Sequence, residues 1–247
     1  MKFAVAGSSG TVGQHTVEAL RTHGHDVVGL SRSEGVDPTS ADEVAEALVG
    51  VDVVIDTCNA STIDEKDATQ FFTTVGGNLQ SAGARRGVQH LVTLSIVGID
   101  NADFGYYRAK LAHEESAARG SVPWTIMRAT QLHEFPAQLL AMTRQGDRAA
   151  VFDVESQTVA ASAVADALVN LAVRPAQGRA SDVGGPEAAN LVELAKAFVA
   201  RYDSGLEVQP DTSTMSGLPD GALLPGPDAK IIGPTYTQWL DSEPHRV

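Results

Sequence analysis

Cysteine is nearly absent from this 247-residue sequence, which contains Cys58 alone, and aromatic residues make up only 5% of it. A single thiol excludes an internal disulfide, and the seven histidines lack the spacing of a metal site. Apolar runs are short as well, and the run Phe3–Ala6 is too short for a signal peptide or a membrane span. We therefore expect no bound metal, no membrane association and a cytoplasmic location.

Basic residues are also few: the sequence has 18 lysines and arginines compared with 31 acidic residues, which gives a formal net charge of −13. A surface with this charge repels the phosphate backbone of nucleic acids. The hydrophobic content of 43% is that of an ordinary globular protein with a sizeable core. We expect a small-molecule substrate and no direct nucleic-acid partner, and the oligomeric state is left open.

Short apolar runs alternate with amphipathic stretches through the first half of the chain. Five runs without polar alternation are typical of strands that are covered on both faces: Phe3–Ala6, Val27–Leu30, Val51–Asp56, Leu91–Leu94 and Trp124–Met127. The stretches between them have the pattern of helices: Thr11–His23, Ala41–Leu48, Asp67–Arg86 and Asp103–Ala118. This alternation predicts an α/β fold with a doubly wound parallel sheet.

The second half of the chain is less regular. Helices are predicted at Pro136–Gln145, Ser162–Val173 and Ala188–Tyr202, and a strand or loop that returns to the sheet at Ala149–Ala161. Residues 205–235 are rich in glycine, proline and small polar residues. We expect residues 1–150 to form a nucleotide-binding core and residues 151–247 a smaller substrate-side lobe packed on it, although one continuous domain fits the same pattern.

A glycine-rich turn, Gly7-Ser8-Ser9-Gly10-Thr11-Val12-Gly13, lies between the first predicted strand and the first predicted helix. Gly7 suits a sharp turn, Gly10 lets the backbone approach a pyrophosphate, and Gly13 lets the helix pack close to the strand. The helix N-terminus adds free N–H groups and the positive end of the helix dipole. Three glycines alone also fit a plain turn, but their position between strand and helix predicts a dinucleotide site.

The residues after the second predicted strand indicate which dinucleotide binds. Proteins that bind NAD usually place an aspartate or glutamate there, which hydrogen-bonds the 2′-hydroxyl of the adenosine ribose. Here Leu30 is followed by Ser31-Arg32-Ser33. The forked guanidinium of Arg32 suits a 2′-phosphate, and the hydroxyls of Ser31 and Ser33 can add hydrogen bonds. The arginine can also be a plain surface residue, but the pattern favours NADP over NAD.

A serine, a tyrosine and a lysine follow the run Leu91–Leu94. Ser95 comes just past that run, and Tyr106 and Lys110 are four residues apart, so they share one face of a helix. A lysine cation beside a phenol lowers the pKa of that phenol. Tyr106 would then donate a proton to a carbonyl oxygen under hydride attack, while Ser95 hydrogen-bonds the same oxygen and Lys110 also holds the nicotinamide ribose.

Two alternatives stay open at this tyrosine. Tyr107 lies three residues before Lys110 and competes with Tyr106 for the role of proton donor. The spacing by itself also fits an exposed Tyr–Lys pair on the surface of a helix.

Five stretches within about the first 140 residues carry a family resemblance: Gly7–Gly13, Gly76–Leu79, Leu94–Asp100, Tyr106–Lys110 and Arg128–Gln131. In these stretches the chain resembles the short-chain dehydrogenase/reductase superfamily, and more closely its atypical or extended NmrA-like branch. The resemblance implies a Rossmann fold with a small C-terminal substrate region. One departure is the tight loop of ten residues between Ser95 and Tyr106, which puts the closure of the catalytic triad in doubt.

The resemblance also implies how the cofactor is held. The turn is expected to bind the pyrophosphate through Gly7, Ser9, Gly10, Thr11, Val12 and Gly13. Arg32 is expected to bind the 2′-phosphate, and Asp37 is expected to lie near the adenine. Thr57, Cys58 and Asn59 border the ribose, and Thr130 and Gln131 lie nearer the nicotinamide.

Three functions fit these residues. The first is an NADP-dependent oxidoreductase that reduces a small carbonyl, enone or quinone-like substrate, with Tyr106 as proton donor. The second is a redox sensor that binds NADP(H) without turnover, which the tight loop and the resembled branch both suit. The third is an epimerase or isomerase that uses the same site and returns the hydride to its substrate.

Overall fold

The computed structural model describes residues 1–203, 205–211, 219 and 221–242. The strands are β1 (Lys2–Ala6), β2 (Asp26–Leu30), β3 (Val53–Asp56), β4 (His90–Ile96), β5 (Trp124–Ala129), β6 (Arg148–Phe152), β7 (Glu155–Ser156), β8 (Gly178–Arg179), β9 (Val183–Gly184), β10 (Ala189–Asn190), β11 (Glu207–Asp211) and β12 (Lys230–Ile231). The helices are α1 (Thr11–Thr22), α2 (Ala41–Ala47), α3 (Glu65–Arg86), α4 (Gly105–Arg119), α5 (Phe135–Thr143), α6 (Ala161–Ala172), α7 (Leu191–Tyr202) and α8 (Tyr236–Ser242).

The main sheet is parallel and has the strand order β12-β9-β5-β4-β3-β1-β2, with β8 also paired to β5. The order reverses between β1 and β3, because the chain moves outward to β2 on one side and to β4 and β5 on the other. Ligands of doubly wound folds bind at such a reversal, beyond the carboxyl ends of the strands. The predicted α/β fold of Rossmann type is confirmed.

Both faces of the sheet are covered, which explains why the strands lack polar alternation. In β1, Phe3 and Val5 pack with α1 and α6 on one face. Ala4 and Ala6, which alternate with them, pack with α2, α3 and α4 on the other face. Burial on both sides therefore requires the continuous apolar runs that the sequence contains.

Part of the chain after β5 forms an apolar cluster that is separate from the clusters on the two faces of the sheet. Helices α5, α7 and α8 share an apolar cluster with β6, and Tyr107 of α4 belongs to the same cluster. Strand β6 pairs with β11 in a separate two-stranded sheet, and β7 pairs with β10 in another. The predicted division at residue 150 falls inside β6 and stays a prediction.

Several boundaries in this second half differ from expectation. The segment Ala149–Ala161 was expected as one strand or loop, but it contains β6, β7 and the beginning of α6. The short strands β8 to β12 and helix α8 were not predicted, and residues 204, 212–218, 220 and 243–247 lie outside the described residues. No helix in the described part of the chain combines the length and the apolar character that crossing a membrane requires.

Candidate active site

The glycine-rich turn connects three strand ends. Gly7 has a φ of +75°, which favours glycine, and its N–H donates to the Leu30 carbonyl at 2.9 Å. A Cβ on Gly7 would lie 2.9 Å from the Thr57 carbonyl group, and a Cβ on Gly13 would overlap the Gly7 carbonyl oxygen. Glycine at both positions therefore lets α1 and the segment after β3 close around the turn.

The N-terminus of α1 is open to a ligand. Gly10 precedes the helix, and no side chain among the described residues caps its first N–H groups. Gln138 of α5 donates from Nε2 to the Thr11 hydroxyl at 3.4 Å, which brings α5 over the turn. The backbone of Ser9, Thr11 and Val12 thus surrounds a position where the helix dipole favours a phosphate.

An acidic residue returns to the end of β2, contrary to the expectation that only Arg32 and two serines stand there. After Ser31 the chain forms one turn of 3₁₀ helix, Arg32–Glu34, which folds Glu34 back over Gly29. The Glu34 carboxylate accepts hydrogen bonds from the hydroxyls of Ser8 and of Ser31, the latter at 3.0 Å. The end of β2 therefore presents a carboxylate as well as the Arg32 guanidinium.

The two other segments expected around the adenosine end also lie at this edge. Asp37 accepts the backbone N–H and the hydroxyl of Thr39, and these hydrogen bonds lower the pKa of its carboxyl. After β3, the Thr57 hydroxyl donates to the Ala6 carbonyl at 2.8 Å. Cys58 is buried, and burial raises the pKa of its thiol well above the ordinary value. Cys58 therefore remains a neutral thiol.

Tyr106 lies at the first turn of α4, and its hydroxyl donates to the Asn59 side-chain oxygen. Its ring meets Phe72 edge-on, with the ring centroids 5.8 Å apart. The expected lowering of its pKa by Lys110 is wrong, because burial raises the pKa of Tyr106. The phenol therefore keeps its proton throughout the neutral range.

Lys110 faces the interior and makes no hydrogen bond to Tyr106. Its Nζ donates to the Leu94 carbonyl at 3.0 Å and to Nδ1 of His113 at 3.0 Å. Burial lowers the pKa of Lys110 to about 8. The lysine thus belongs to a buried polar group that spacing along one helix does not reveal.

Ser95 was expected just past its strand, but it lies within β4 and is 2% exposed. It pairs in register with Arg128 of β5, on the face of the sheet that α4 covers. Its hydroxyl has no hydrogen-bond partner among the described residues. Burial raises the pKa of Glu114, but the Arg128 guanidinium, which donates to its carboxylate at 2.8 Å, outweighs this and lowers that pKa.

Tyr107, the competing tyrosine, borders the end of β5. Its hydroxyl accepts a hydrogen bond from Nε2 of Gln131 at 3.2 Å, and its ring contacts Phe104 edge-on. The neighbouring Thr130 donates from its hydroxyl to the Gln157 carbonyl at 2.6 Å. Both phenols thus contact a residue expected at the cofactor, Asn59 for Tyr106 and Gln131 for Tyr107.

The carboxyl edge of the sheet therefore brings together nearly all the predicted site residues. Ser31, Arg32 and Ser33 follow β2, and Thr57–Asn59 follow β3; Tyr106 and Lys110 approach from α4. Three residues were missed: Glu34, whose carboxylate returns through the 3₁₀ turn; His113, whose Nδ1 accepts from Lys110; and Asp56, whose carboxylate accepts from His113. The only sequence signal for the last pair was a histidine three residues after the lysine, on the same helix face.

The sequence profile of a family described as NAD(P)H-binding matches residues 7–175. No curated protein matches the chain. Among solved structures, the Bordetella bronchiseptica enzyme WbmH in complex with NAD+ is 17% identical over 97% of this chain and 95% of its own, with a TM-score of 0.78.

Two further solved structures share the fold. The Thermus thermophilus UDP-glucose 4-epimerase complex with NAD is 18% identical over 97% of this chain and 92% of its own, with a TM-score of 0.73. The Bacillus anthracis dTDP-4-dehydrorhamnose reductase in complex with NADP is 15% identical over 89% and 87%, with a TM-score of 0.69. At these identities the likeness concerns the fold alone.

Proposed function

The chain belongs to the NAD(P)H-binding family, of short-chain dehydrogenase/reductase type, and from this premise we propose that it is an NADP-dependent oxidoreductase acting on a small molecule. The observation that carries the proposal is the uncapped N-terminus of α1 at the same sheet edge as the Tyr106 hydroxyl. The segment Thr57–Asn59 connects the two, because Thr57 contacts Gly7 and Asn59 binds Tyr106.

The residues of the turn fit a dinucleotide. Gly7 and Gly13 pack closely, so no side chain of theirs separates the turn from the helix, and no side chain of the described residues caps the first N–H groups of α1, which can bind phosphate oxygens. When bound, such a cofactor supplies or accepts a hydride. Asn59 and Gln131 would border it on the sides of Tyr106 and Tyr107, respectively.

Tyr106 is the proposed proton donor to the carbonyl oxygen of the substrate. Because burial raises the pKa of Tyr106, its hydroxyl keeps a proton to donate at neutral pH. This protonation state suits reduction of a carbonyl better than the reverse reaction, which needs a base. Phe72 packs on Tyr106 and Phe104 on Tyr107, and these apolar surroundings suit a small carbonyl, enone or quinone-like substrate.

A substrate panel tests the proposal. Purified protein is mixed with NADPH and, one at a time, with small aldehydes, ketones, enones and quinones, and the absorbance of NADPH is followed. We expect steady consumption with at least one class, and consumption that is slower by about 10²–10⁴-fold after Tyr106→Phe. Tight NADPH binding without consumption on the whole panel would contradict the reductase.

Two other outcomes of the same panel define the alternatives. The inward-facing Lys110 and the enclosed Ser95 favour a second candidate, a redox sensor that binds NADP(H) without turnover. Binding that alters the protein's conformation, without consumption, would support the sensor. Product formed without net consumption of the cofactor would support an epimerase or isomerase.

The preference for NADP over NAD is a proposal with its own test. Arg32 is exposed and makes no ion pair within the described residues, so its guanidinium is available to a 2′-phosphate. The Glu34 carboxylate repels that phosphate, and it already accepts hydrogen bonds from the hydroxyls of Ser8 and Ser31. We expect Arg32→Ala to weaken NADP binding about tenfold and leave NAD binding nearly unchanged, since one charge-assisted contact is lost.

Glu34→Gln is the matched variant, because it removes the charge and keeps the size of the side chain. We expect it to strengthen NADP binding severalfold by relieving the repulsion between carboxylate and phosphate. Dissociation constants for both cofactors are measured by titration of each variant. Equal losses for NADP and NAD in Arg32→Ala would defeat the 2′-phosphate assignment. A selective loss of NAD binding in Glu34→Gln would instead give Glu34 the ribose 2′-hydroxyl.

A further inference from the structure

A buried chain of hydrogen bonds runs behind Lys110. Nζ of Lys110 lies 3.0 Å from Nδ1 of His113, and Nε2 of His113 lies 2.8 Å from the Asp56 carboxylate. Asp56 and His113 are fully enclosed, and Lys110 is 3% exposed. The chain therefore joins the end of β3 to α4 through groups that water does not reach.

Each hydrogen bond between these three side chains has only one possible donor. An ammonium group has no acceptor, so His113 must accept from Lys110 at Nδ1. The other ring nitrogen then carries the proton and donates to Asp56. The second carboxylate oxygen of Asp56 accepts the Cys58 backbone N–H at 3.0 Å. The imidazole is thus neutral and fixed in one tautomer.

Phe72 of α3 packs against this chain. Its ring stacks on His113 with the ring centroids 4.8 Å apart, and Nζ of Lys110 lies 4.6 Å from the ring centroid. The same ring contacts Tyr106 edge-on. One aromatic side chain therefore sets the distance between the candidate proton donor and the buried chain.

We propose that Asp56 and His113 are positioning residues, which hold the Lys110 ammonium group at the carboxyl end of β4 with one N–H donor left for a cofactor hydroxyl. Two of the three ammonium donors are used within the described residues, by the Leu94 carbonyl and by His113. This inference rests on the proposed function, because it assigns Lys110 to the cofactor.

The charges around Lys110 fix the direction of its response to pH. It faces the carboxylates of Asp56 on β3 and Glu114 on its own helix, the Cys58 thiol after β3, and the neutral His113. Burial lowers the pKa of Lys110 to about 8, and the two carboxylates oppose this. Cofactor affinity should therefore be full below that pH and decline as the pH rises through it.

Two variants break this buried chain of hydrogen bonds at different residues. In Asp56→Asn the amide N–H faces Nε2 of His113, so the imidazole proton moves to Nδ1 and points at Lys110. In His113→Leu the ammonium group loses an acceptor. We expect either variant to weaken NADPH binding about tenfold at neutral pH, the cost of one buried partner left unpaired. The pKa of Lys110 should fall by about one unit in Asp56→Asn.

Two further variants control for folding. His113→Gln keeps an acceptor for Lys110 and a donor for Asp56, and should restore most of the affinity. His90→Gln alters a buried histidine that binds Thr125 at 2.8 Å, at the opposite end of β4, and should leave NADPH binding unchanged. Thermal denaturation of each variant identifies any that fail to fold.

Measurements with and without cofactor separate this inference from the proposed function. NADPH dissociation constants are determined on both sides of pH 8, and the titration of Lys110 in the unliganded protein is followed by NMR of its side chain. An unchanged Lys110 titration in folded Asp56→Asn and His113→Leu would overturn the positioning role, whatever the enzyme turns over. A shifted Lys110 titration in a protein that consumes no NADPH would contradict the proposed oxidoreductase function and leave the positioning role intact.

Discussion

Substituting Gly13 with alanine is expected to weaken dinucleotide binding by on the order of 100-fold and to lower the melting temperature. The added Cβ would overlap the Gly7 carbonyl oxygen and lie 2.8 Å from the Gly7 carbonyl carbon and 2.9 Å from the Ser8 Cα. All three are backbone atoms, so no rotation of a side chain relieves the overlap. Helix α1 must move away from the turn, at a cost of about 1–3 kcal/mol for overpacking.

The loss of binding follows from the geometry of the phosphate site. The phosphates depend on the position of the first N–H groups of α1, and a displacement of about 1 Å at such a site can cost on the order of 100-fold. Gly77→Ala on α3 is the matched control, because a Cβ at Gly77 meets no atom of the described residues within 4 Å. Alanine there should stabilise the helix by about 1 kcal/mol. Normal NADPH affinity in folded Gly13→Ala would contradict the assigned role of the turn.

The second large effect is expected from Tyr106→Phe, measured with a substrate found in the panel. Loss of a general acid typically reduces the rate 10²–10⁴-fold, and we expect kcat to fall about that much. NADPH affinity should change little, because within the described part of the chain the hydroxyl binds the Asn59 side chain alone. Thermal denaturation should be nearly unchanged, since the ring keeps its contact with Phe72.

Tyr107→Phe is the internal comparison for this experiment. The Tyr107 hydroxyl accepts from Gln131, and its removal should affect substrate or cofactor binding more than kcat. If Tyr107→Phe loses turnover and Tyr106→Phe keeps it, the proton donor is Tyr107. Burial raises the pKa of both phenols, so neither should lose its proton near pH 8, and any decline in activity there should follow Lys110.

The sheet and the turn could be predicted from sequence because both depend on local patterns. Strands buried on two faces must be apolar throughout, and a strand followed closely by spaced glycines and a helix has few other uses. Each predicted strand of the first half begins and ends within two residues of β1 to β5. The short strands β7 to β10 and β12 have two residues each, too few to show any period.

The chemistry around Lys110 and Glu34 could not be predicted, because it depends on contacts between distant segments. The His113–Asp56 hydrogen bond spans 57 residues, and Glu34 reaches Ser8 across 26. The prediction that Lys110 lowers the pKa of Tyr106 rested on their spacing along one helix. In the folded protein the Lys110 ammonium group binds the Leu94 carbonyl and the His113 imidazole instead.

Cys58, the one cysteine, gives the protein a built-in reporter of local opening. Its thiol is buried between the turn and the Asp56 chain, and its Cα would lie 3.0 Å from a Cβ at Gly7. A water-borne thiol reagent can react only after the end of β3 opens, so the labelling rate measures the free energy of that motion. A dinucleotide seated on the turn must slow the labelling, which makes the native chain its own sensor of occupancy without any introduced label.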